Sequence, residues 1–257
     1  MTIQKTAFIT GASHGIGKGI ALRLAEAGYD IAFTYYTERV DAEALQAKIQ
    51  AMNQRCFFYQ ASLEEKTVAE HVTRQAIKDL GKLDVLVCNA GKTKFTSILN
   101  VEPDVIDFLY HLNYRSYLLC TKVASNHMIE HNIKGSIIYI SSTRGMRAYD
   151  NDVIYGSLKA ALNRAVESLA LELADHEITV NAVAPGATAI NDDYTDEALK
   201  KGHLSTLVPL KRRGKPGDIA GLVNYLISDE ASYITGETIK VDGGLILYGP
   251  DERPKED

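Results

Sequence analysis

Seven short apolar runs, most of them followed by a segment of helical period, predict an α/β chain: a doubly wound sheet of about seven parallel strands with helices on both faces. The runs are β-branched or aromatic without strict alternation, as in strands covered on both sides. The connections between them are short, which favours one open sheet. With 257 residues, 46% hydrophobic and 24% charged, the composition is ordinary for a globular chain and the length suffices for a large core.

The first run, Thr6–Ile9, ends in a glycine-rich turn. Ile16, Ile20 and Leu24 then repeat every four residues as one helix face, which Gly28 stops. Ile31–Tyr35 is the second strand, followed by a helix with Leu45 and Ile49 on its stripe. Cys56–Tyr59 is the third, and Val68, Val72 and Ala76 mark the helix after it. Val85–Cys88 is the fourth. A long helix is expected from about Pro103, since proline suits a first helical turn. Ile137–Ile140 follows, then a helix through Ala160, Ala161, Leu162, Val166 and Leu169. Thr179–Val183 precedes the least patterned stretch, a polar loop at about 187–206 of the kind that shapes ligand sites. Pro216 opens a late helix, and Thr238–Val241 is the last strand. No linker or repeat interrupts this order, so residues 1–250 read as a single domain and 251–257 as a frayed charged tail.

Several function classes fall away. Twenty-eight Lys and Arg against 33 Asp and Glu give a net charge of −5 with no basic run, which argues against nucleic acid. Cys56, Cys88 and Cys120 stand far apart in apolar stretches and read as buried thiols, not a disulfide framework. No apolar run approaches the ~18 residues of a membrane span. The chain enters its first strand almost at once, without a signal peptide, so a soluble cytoplasmic protein is expected. The histidines lack H-E-x-x-H or comparable spacing, and no metal is expected. His111, His127 and His131 fall on the long helix as solvated or interface residues.

The turn after the first strand is Thr10-Gly11-Ala12-Ser13-His14-Gly15-Ile16-Gly17. Glycines between a strand and a helix N-terminus let a pyrophosphate approach the backbone, where free N–H groups and the helix dipole favour its charge. The spacing, G-x-x-x-G-x-G, differs from the commoner dinucleotide fingerprint. Asn89-Ala90-Gly91 follows the fourth strand, in the neighbouring crevice, where small residues leave room for an adenosine half.

These motifs, together with Tyr155-x-x-x-Lys159, Pro185-Gly186, Tyr233-Ile234-Thr235-Gly236 and Val241-Asp242-Gly243-Gly244, resemble the short, single-domain branch of the short-chain dehydrogenase/reductase family. The resemblance runs from about Thr6 to Gly244 and implies a Rossmann-type fold binding a nicotinamide dinucleotide. It places Gly11, Ser13, His14, Gly15, Ile16, Gly17, Tyr35, Tyr36, Thr37, Asn89, Ala90, Gly91, Tyr155, Lys159, Pro185, Gly186 and Thr188 on the cofactor, with Lys159 also donating to the nicotinamide ribose. Ser62 and Leu63 stand where relatives contact adenine; relatives usually carry Asp there, and serine lacks its charge. Ile190 replaces a threonine usual after Thr188.

NADP rather than NAD is expected. Where NAD-preferring relatives carry Asp at the end of the second strand, this chain has Tyr35, so the carboxylate that would repel a 2′-phosphate is missing. Hydroxyls at Thr34, Tyr36 and Thr37, with Arg39 nearby, suit a phosphate. His14, where NADP-preferring relatives often have Arg, and the nearby Glu38 work against it.

Tyr155 and Lys159 lie four apart, on one helix face. A phenol of pKa about 10 is a poor acid–base group at neutral pH, and an ammonium beside it is expected to bring its pKa down. Ser142, just past the fifth strand, is placed to donate a hydrogen bond to a carbonyl oxygen as charge develops there; the family's spacing favours it over Ser141. Asn113, inside the long helix, resembles the fourth member of the family's catalytic tetrad, where it supports a proton relay through Lys159. The resemblance thus implies hydride transfer between nicotinamide and a ketone or secondary alcohol, close to 3-oxoacyl-thioester reductases. Sugar (glucose 1-) dehydrogenases are the alternative, encouraged by the ending Gly244-Leu245-Ile246-Leu247-Tyr248, and a non-catalytic dinucleotide-sensing regulator is a different class; a longer-branch epimerase or dehydratase ranks last. Arg144, Arg147 and Tyr149 flank the substrate mouth, either favouring an anionic or polyhydroxylated substrate or simply solvated. A homotetramer or homodimer is implied, with Tyr110, Tyr114, Tyr117 and Leu118 forming either its face or core packing.

Overall fold

A computed structural model describes residues 4–190 and 194–247. The tail at 251–257, the last residues of the 1–250 span, Tyr248 of the sugar-dehydrogenase-like ending, and three positions of the 187–206 loop lie outside the described residues. Seven parallel strands form one sheet: β1 (Thr6–Ile9), β2 (Asp30–Tyr35), β3 (Cys56–Gln60), β4 (Val85–Cys88), β5 (Ser136–Ile140), β6 (Thr179–Pro185) and β7 (Thr238–Val241). Their order is β3-β2-β1-β4-β5-β6-β7. The order reverses between β1 and β4, the switch point at which open α/β sheets leave a crevice beyond the strand C-termini.

The helices are α1 (Gly15–Glu26), α2 (Arg39–Gln50), α3 (Val68–Leu80), α4 (Pro103–Tyr110), α5 (Ser116–Glu130), α6 (Val153–Leu173), the short α7 (Asp196–Leu199) and α8 (His203–Leu207), and α9 (Pro216–Leu226). They cover both faces. Ala7 and Ile9 turn to one side with Ile20, Leu24, Leu45, Ile49 and Val223. Phe8 turns to the other with Val72, Ala76, Cys120, Leu162 and Val166. This alternation within β1, with both sides apolar, is why the run shows no polar stripe. The three cysteines are buried and free. Among the described residues no helix is long and apolar enough to cross a membrane.

The structure departs from the sequence reading at several boundaries. β2 begins at Asp30, whose buried carboxylate accepts from Arg55 N and Nε at 2.8 and 2.7 Å and so lets a charged residue enter the sheet. β6 runs on to Pro185 because β7 pairs with it through Ala184 and Pro185. The expected long helix is there but not regular. Between α4 and α5 the backbone makes one π-helical turn, His111–Arg115, in which Ser116 N–H reaches back five residues to His111 O. Such turns insert a residue into the helical count, and here the residue turned inward is Asn113.

Candidate active site

Six strand C-termini bring the site residues together. The turn after β1 has Gly11 and Gly15 at positive φ, +65° and +58°. Gly17 is required by close approach: a Cβ there would stand 2.4 Å from Gly11 O and 2.6 Å from Asn89 Nδ2. The turn folds over this glycine, leaving the backbone and the N-terminus of α1 to face the crevice, so the cradle fits a dinucleotide pyrophosphate.

Asn89 also serves the glycine turn. Its amide donates to Thr10 O at 3.0 Å and Gly11 O at 2.7 Å, pinning the glycine turn. Thr10, which the sequence reading left out of the site, accepts from Asn89 N at 2.9 Å and Ala90 N at 3.0 Å through its hydroxyl. The signal was its place directly before Gly11. Gly91 again answers to crowding, since a Cβ would lie 2.6 Å from Asn113 Oδ1. Asn113 is fully buried, donating to Lys92 O at 3.0 Å and Leu109 O at 3.1 Å and accepting from Lys92 N at 3.2 Å. It ties the π turn to the loop after β4.

At the end of β2 the expected phosphate-holding hydroxyls divide. Thr34 is buried and accepts from Gly11 N at 2.8 Å, serving the turn. Tyr35 is 5% exposed, its ring against Phe58, so its side chain belongs to the core. Arg39 turns away to Glu43, donating at 2.8 Å. Tyr36 is exposed. Thr37 donates its hydroxyl to Glu38 Oε1 at 2.9 Å, and Ser13 Oγ, 3.0 Å from His14 Nδ1, reaches Glu38 Oε2 at 3.5 Å. Burial pushes the Glu38 carboxyl up, but hydrogen bonds from Thr37 and from its own backbone amide, with the charge of His14, outweigh it and hold the group below its usual range. Glu38 is therefore an anion at the corner where the second strand meets the glycine turn.

After β3, Ser62 accepts from Glu65 N at 3.0 Å through its carbonyl, while Leu63 is buried in the core. Pro185 ends β6; Gly186 lies against Asp242, 2.6 Å from a would-be Cβ. Thr188 Oγ1 donates to Gly186 O at 3.3 Å. Ile190 crosses the glycine turn, its Cβ 3.3 Å from where a Cβ on Gly15 would stand, so the start of the 187–206 loop lies over the crevice.

The two serines after β5 separate by engagement. Ser141 is buried and donates to Asn163 Oδ1 at 2.5 Å on α6. Ser142 caps a short 3₁₀ turn, its Oγ accepting from Arg144 N at 3.1 Å, which leaves its own proton to donate. Tyr155 and Lys159 both sit on α6; Lys159 Nζ is 5.6 Å from the Tyr155 ring centroid. It lies 5.2 Å from that of Tyr117 and donates to Ile140 O at 2.8 Å. Tyr117 is core: it is 1% exposed and meets Tyr139 edge-on. The electrostatics depart from expectation. Burial pushes Tyr155 up to about 12, with Ser142 and Arg144 drawing it down and Asp152 adding to the rise. Burial pulls Lys159 down to about 7. In this protein environment desolvation of the pair outweighs the help an ammonium gives a phenolate.

Arg144 does not offer an open cation at the substrate mouth, because it is paired with Asp152. Arg147, Tyr149 and Met146 line a cleft of about 680 Å³ beside it. His127 accepts from Leu83 N at 3.2 Å and stacks on His131, 4.3 Å between centroids, so it serves the fold.

Residues 11–246 match a family model described as enoyl-(acyl carrier protein) reductase. A 3-oxoacyl-[acyl-carrier-protein] reductase of Staphylococcus aureus is 37% identical over 249 residues, which span 96% of this chain and all of that protein. Among solved structures, an acetoin dehydrogenase of Salmonella typhimurium superposes with a TM-score of 0.92 at 33% identity, over 96% of this chain and 98% of that one. A blue fluorescent protein from a metagenomic library, in complex with NADPH, gives 0.86 at 33% identity over 94% and 98%.

Proposed function

The chain belongs to the short-chain dehydrogenase/reductase family of oxidoreductases, and from that premise we propose that it is an NADP-dependent enzyme interconverting a ketone and a secondary alcohol. Its substrate is a small carbonyl compound of the 3-oxoacyl-thioester or hydroxyketone kind, the chemistry named for its relatives. The observation that carries this reading is the convergence of Ser142, Tyr155 and Lys159 beside the glycine cradle at the C-terminal edge of one sheet.

A nicotinamide dinucleotide held at that edge would supply or take the hydride. The residues do the rest. Gly11 to Gly17 and the N-terminus of α1 hold the pyrophosphate. Ser142 Oγ donates to the carbonyl oxygen and Tyr155 gives it the proton in reduction; in oxidation the tyrosinate takes the alcohol proton. Lys159, close under Tyr155, favours the phenolate when charged. Asn113 holds the loop after β4 in place and is the fourth member of the set.

For NADP over NAD the support is the absence of a carboxylate at Tyr35 and the NADPH-bound neighbour. Glu38 opposes a 2′-phosphate and limits the preference. We place the enzyme in the cytoplasm as a homotetramer or homodimer, a state light scattering reads directly.

A panel of acetoacetyl thioesters, small diketones and aldoses, followed by NADPH absorbance, tests the reading. Tyr155→Phe is expected to lower kcat at least about 100-fold while NADPH still binds. Turnover by that variant near the wild-type rate would sink the assignment. Binding without turnover by the wild type across the panel would point instead to a dinucleotide sensor.

A further inference from the structure

The loop after β4 and the segment leading into α6 meet at Arg144. Its guanidinium lies between two rings, 4.3 Å from the centroid of Phe95 and 4.4 Å from that of Tyr149. Nη1 donates to Asp152 Oδ2 at 3.0 Å. Beside the stack the backbone joins the same segments, Thr96 N–H donating to Asn151 O at 3.0 Å. The side chain of Asp152 is 2% exposed, and Oδ1 has no hydrogen-bond partner among the described residues.

Asp152 occupies the N-cap position of α6, where an aspartate ordinarily accepts from an amide of the first turn. It caps none. The carboxylate is turned to Arg144 instead, and a buried, half-satisfied ion pair is a poor way to stabilise a fold. Gly156, directly after Tyr155, gives the pair its room: a Cβ there would lie 3.1 Å from both Asp152 Oδ2 and Arg144 O. Arg144 also touches the reaction centre through its backbone, because its N–H fixes Ser142 Oγ.

We infer that Arg144 and Asp152, with the guanidinium held between Phe95 and Tyr149, form a clamp that positions Tyr155 and Ser142 and fastens the loop after β4 over them. The inference rests on the oxidoreductase reading above and adds two positioning residues to it. The groups facing Tyr155 are Asp152 ahead of α6, Arg144 and Ser142 after β5, Lys159 on α6 and Tyr117 from α5. Of the clamp's two charges, Asp152 opposes the phenolate and Arg144 favours it. Removing either therefore moves Tyr155 in opposite directions, which a loss of packing does not do.

Two readouts on the full chain separate this idea from the function it builds on. The first is kcat and KM against pH, from about 6 to about 11, for oxidation of the best alcohol of the panel with NADP, the positive charge of the oxidised ring being expected to bring the Tyr155 midpoint into that range. The second is an ultraviolet difference titration of tyrosinate in the presence of NADP, with Tyr155→Phe as blank, which needs no turnover. The variants are Arg144→Met, Asp152→Asn, the double change, and Arg144→Lys. Arg144→Met is expected to raise the Tyr155 midpoint by about 0.5 unit or more and Asp152→Asn to lower it by a similar amount. The double variant, which buries no unpaired charge and so keeps the test available if a single change misfolds, returns the midpoint close to wild type. It still loses about tenfold in kcat through misplacement of the tyrosine. Arg144→Lys restores the midpoint but not kcat, since an ammonium lacks the flat face that fills the stack. Midpoints that stay fixed or move together, or a double variant with wild-type kcat, would overturn the clamp. A wild type without turnover, but with the opposed titration shifts, leaves the clamp standing and removes the oxidoreductase reading.

Discussion

Burying an ammonium as deeply as that of Lys159 works against folding, and the sign follows from its displaced pKa. With a folded value of about 7 against an ordinary 10.5, Lys159 is protonated in both states below pH 7, where the whole desolvation penalty is present. Between those values the native state has released its proton and the unfolded chain has not, so stability rises with pH; above 10.5 the penalty is gone. Lys159→Met is thus expected to abolish turnover while stabilising the fold by about 2–4 kcal/mol at pH 6, the gain shrinking toward pH 10. Thermal melts across that range check it; a gain that did not fall with pH would contradict it. Glu38 is the second residue whose charge decides something. Its carboxylate faces Ser13 of the glycine turn, where the ribose 2′-substituent of a dinucleotide is expected. Glu38→Gln should raise the ratio of kcat/KM for NADP over NAD by about tenfold, mostly through KM. The sequence showed both residues, but not that Thr34, Tyr35 and Arg39 are engaged elsewhere: Thr34 in the glycine turn, Tyr35 in the core and Arg39 with Glu43. Those engagements depend on which way a strand faces and where a helix begins, and one-dimensional spacing does not carry them.

At the scale of elements, the π turn between α4 and α5 shows what periodicity misses. Pro103 and the apolar residues after it predicted a helix, and a helix is there, but one extra residue in the turn swings Asn113 inward to hold Lys92 at both its N–H and C=O. The reward for this distortion comes from a loop about twenty residues away in sequence, so no local pattern announces it. Asn113→Leu would leave the N–H and C=O of Lys92 without their partner and fill the space against Gly91. A loss of roughly 2–4 kcal/mol is expected, with a kcat deficit larger than the stability change explains; urea melts beside kinetics measure both. A variant as stable as wild type would mean that the turn does not depend on this side chain. The glycine turn was the opposite case. Its composition and its place between a strand and a helix were both visible, and the structure added only that Asn89 and Thr10 lock it from the neighbouring strand.

Across the whole molecule, one sheet is sandwiched by two apolar layers that meet through single strands. Ile20 and Leu162 are fully buried on opposite sides, yet each rests on strands whose alternate residues line the other layer. Loosening either layer should therefore weaken both. Ile20→Ala and Leu162→Ala are each expected to cost about 2–5 kcal/mol and to leave a single cooperative transition, seen alike by far-UV and near-UV circular dichroism. Two separated transitions would show that the layers fold independently.

The alternation of strands and helices, the glycine turn after β1 and the one-turn spacing of Tyr155 and Lys159 were available from the amino-acid order, because each rests on spacing along the chain, while Ser142 was singled out by the family resemblance. What needed the folded molecule was every property set by neighbours distant in sequence. Tyr155 is pushed to about 12, not drawn down, because desolvation depends on how many atoms surround it. Arg144 is stacked and paired, not open to a substrate, because Phe95 and Asp152 reach it from separate segments. Charge and burial are sums over three-dimensional surroundings, and those exist only once the chain has closed on itself.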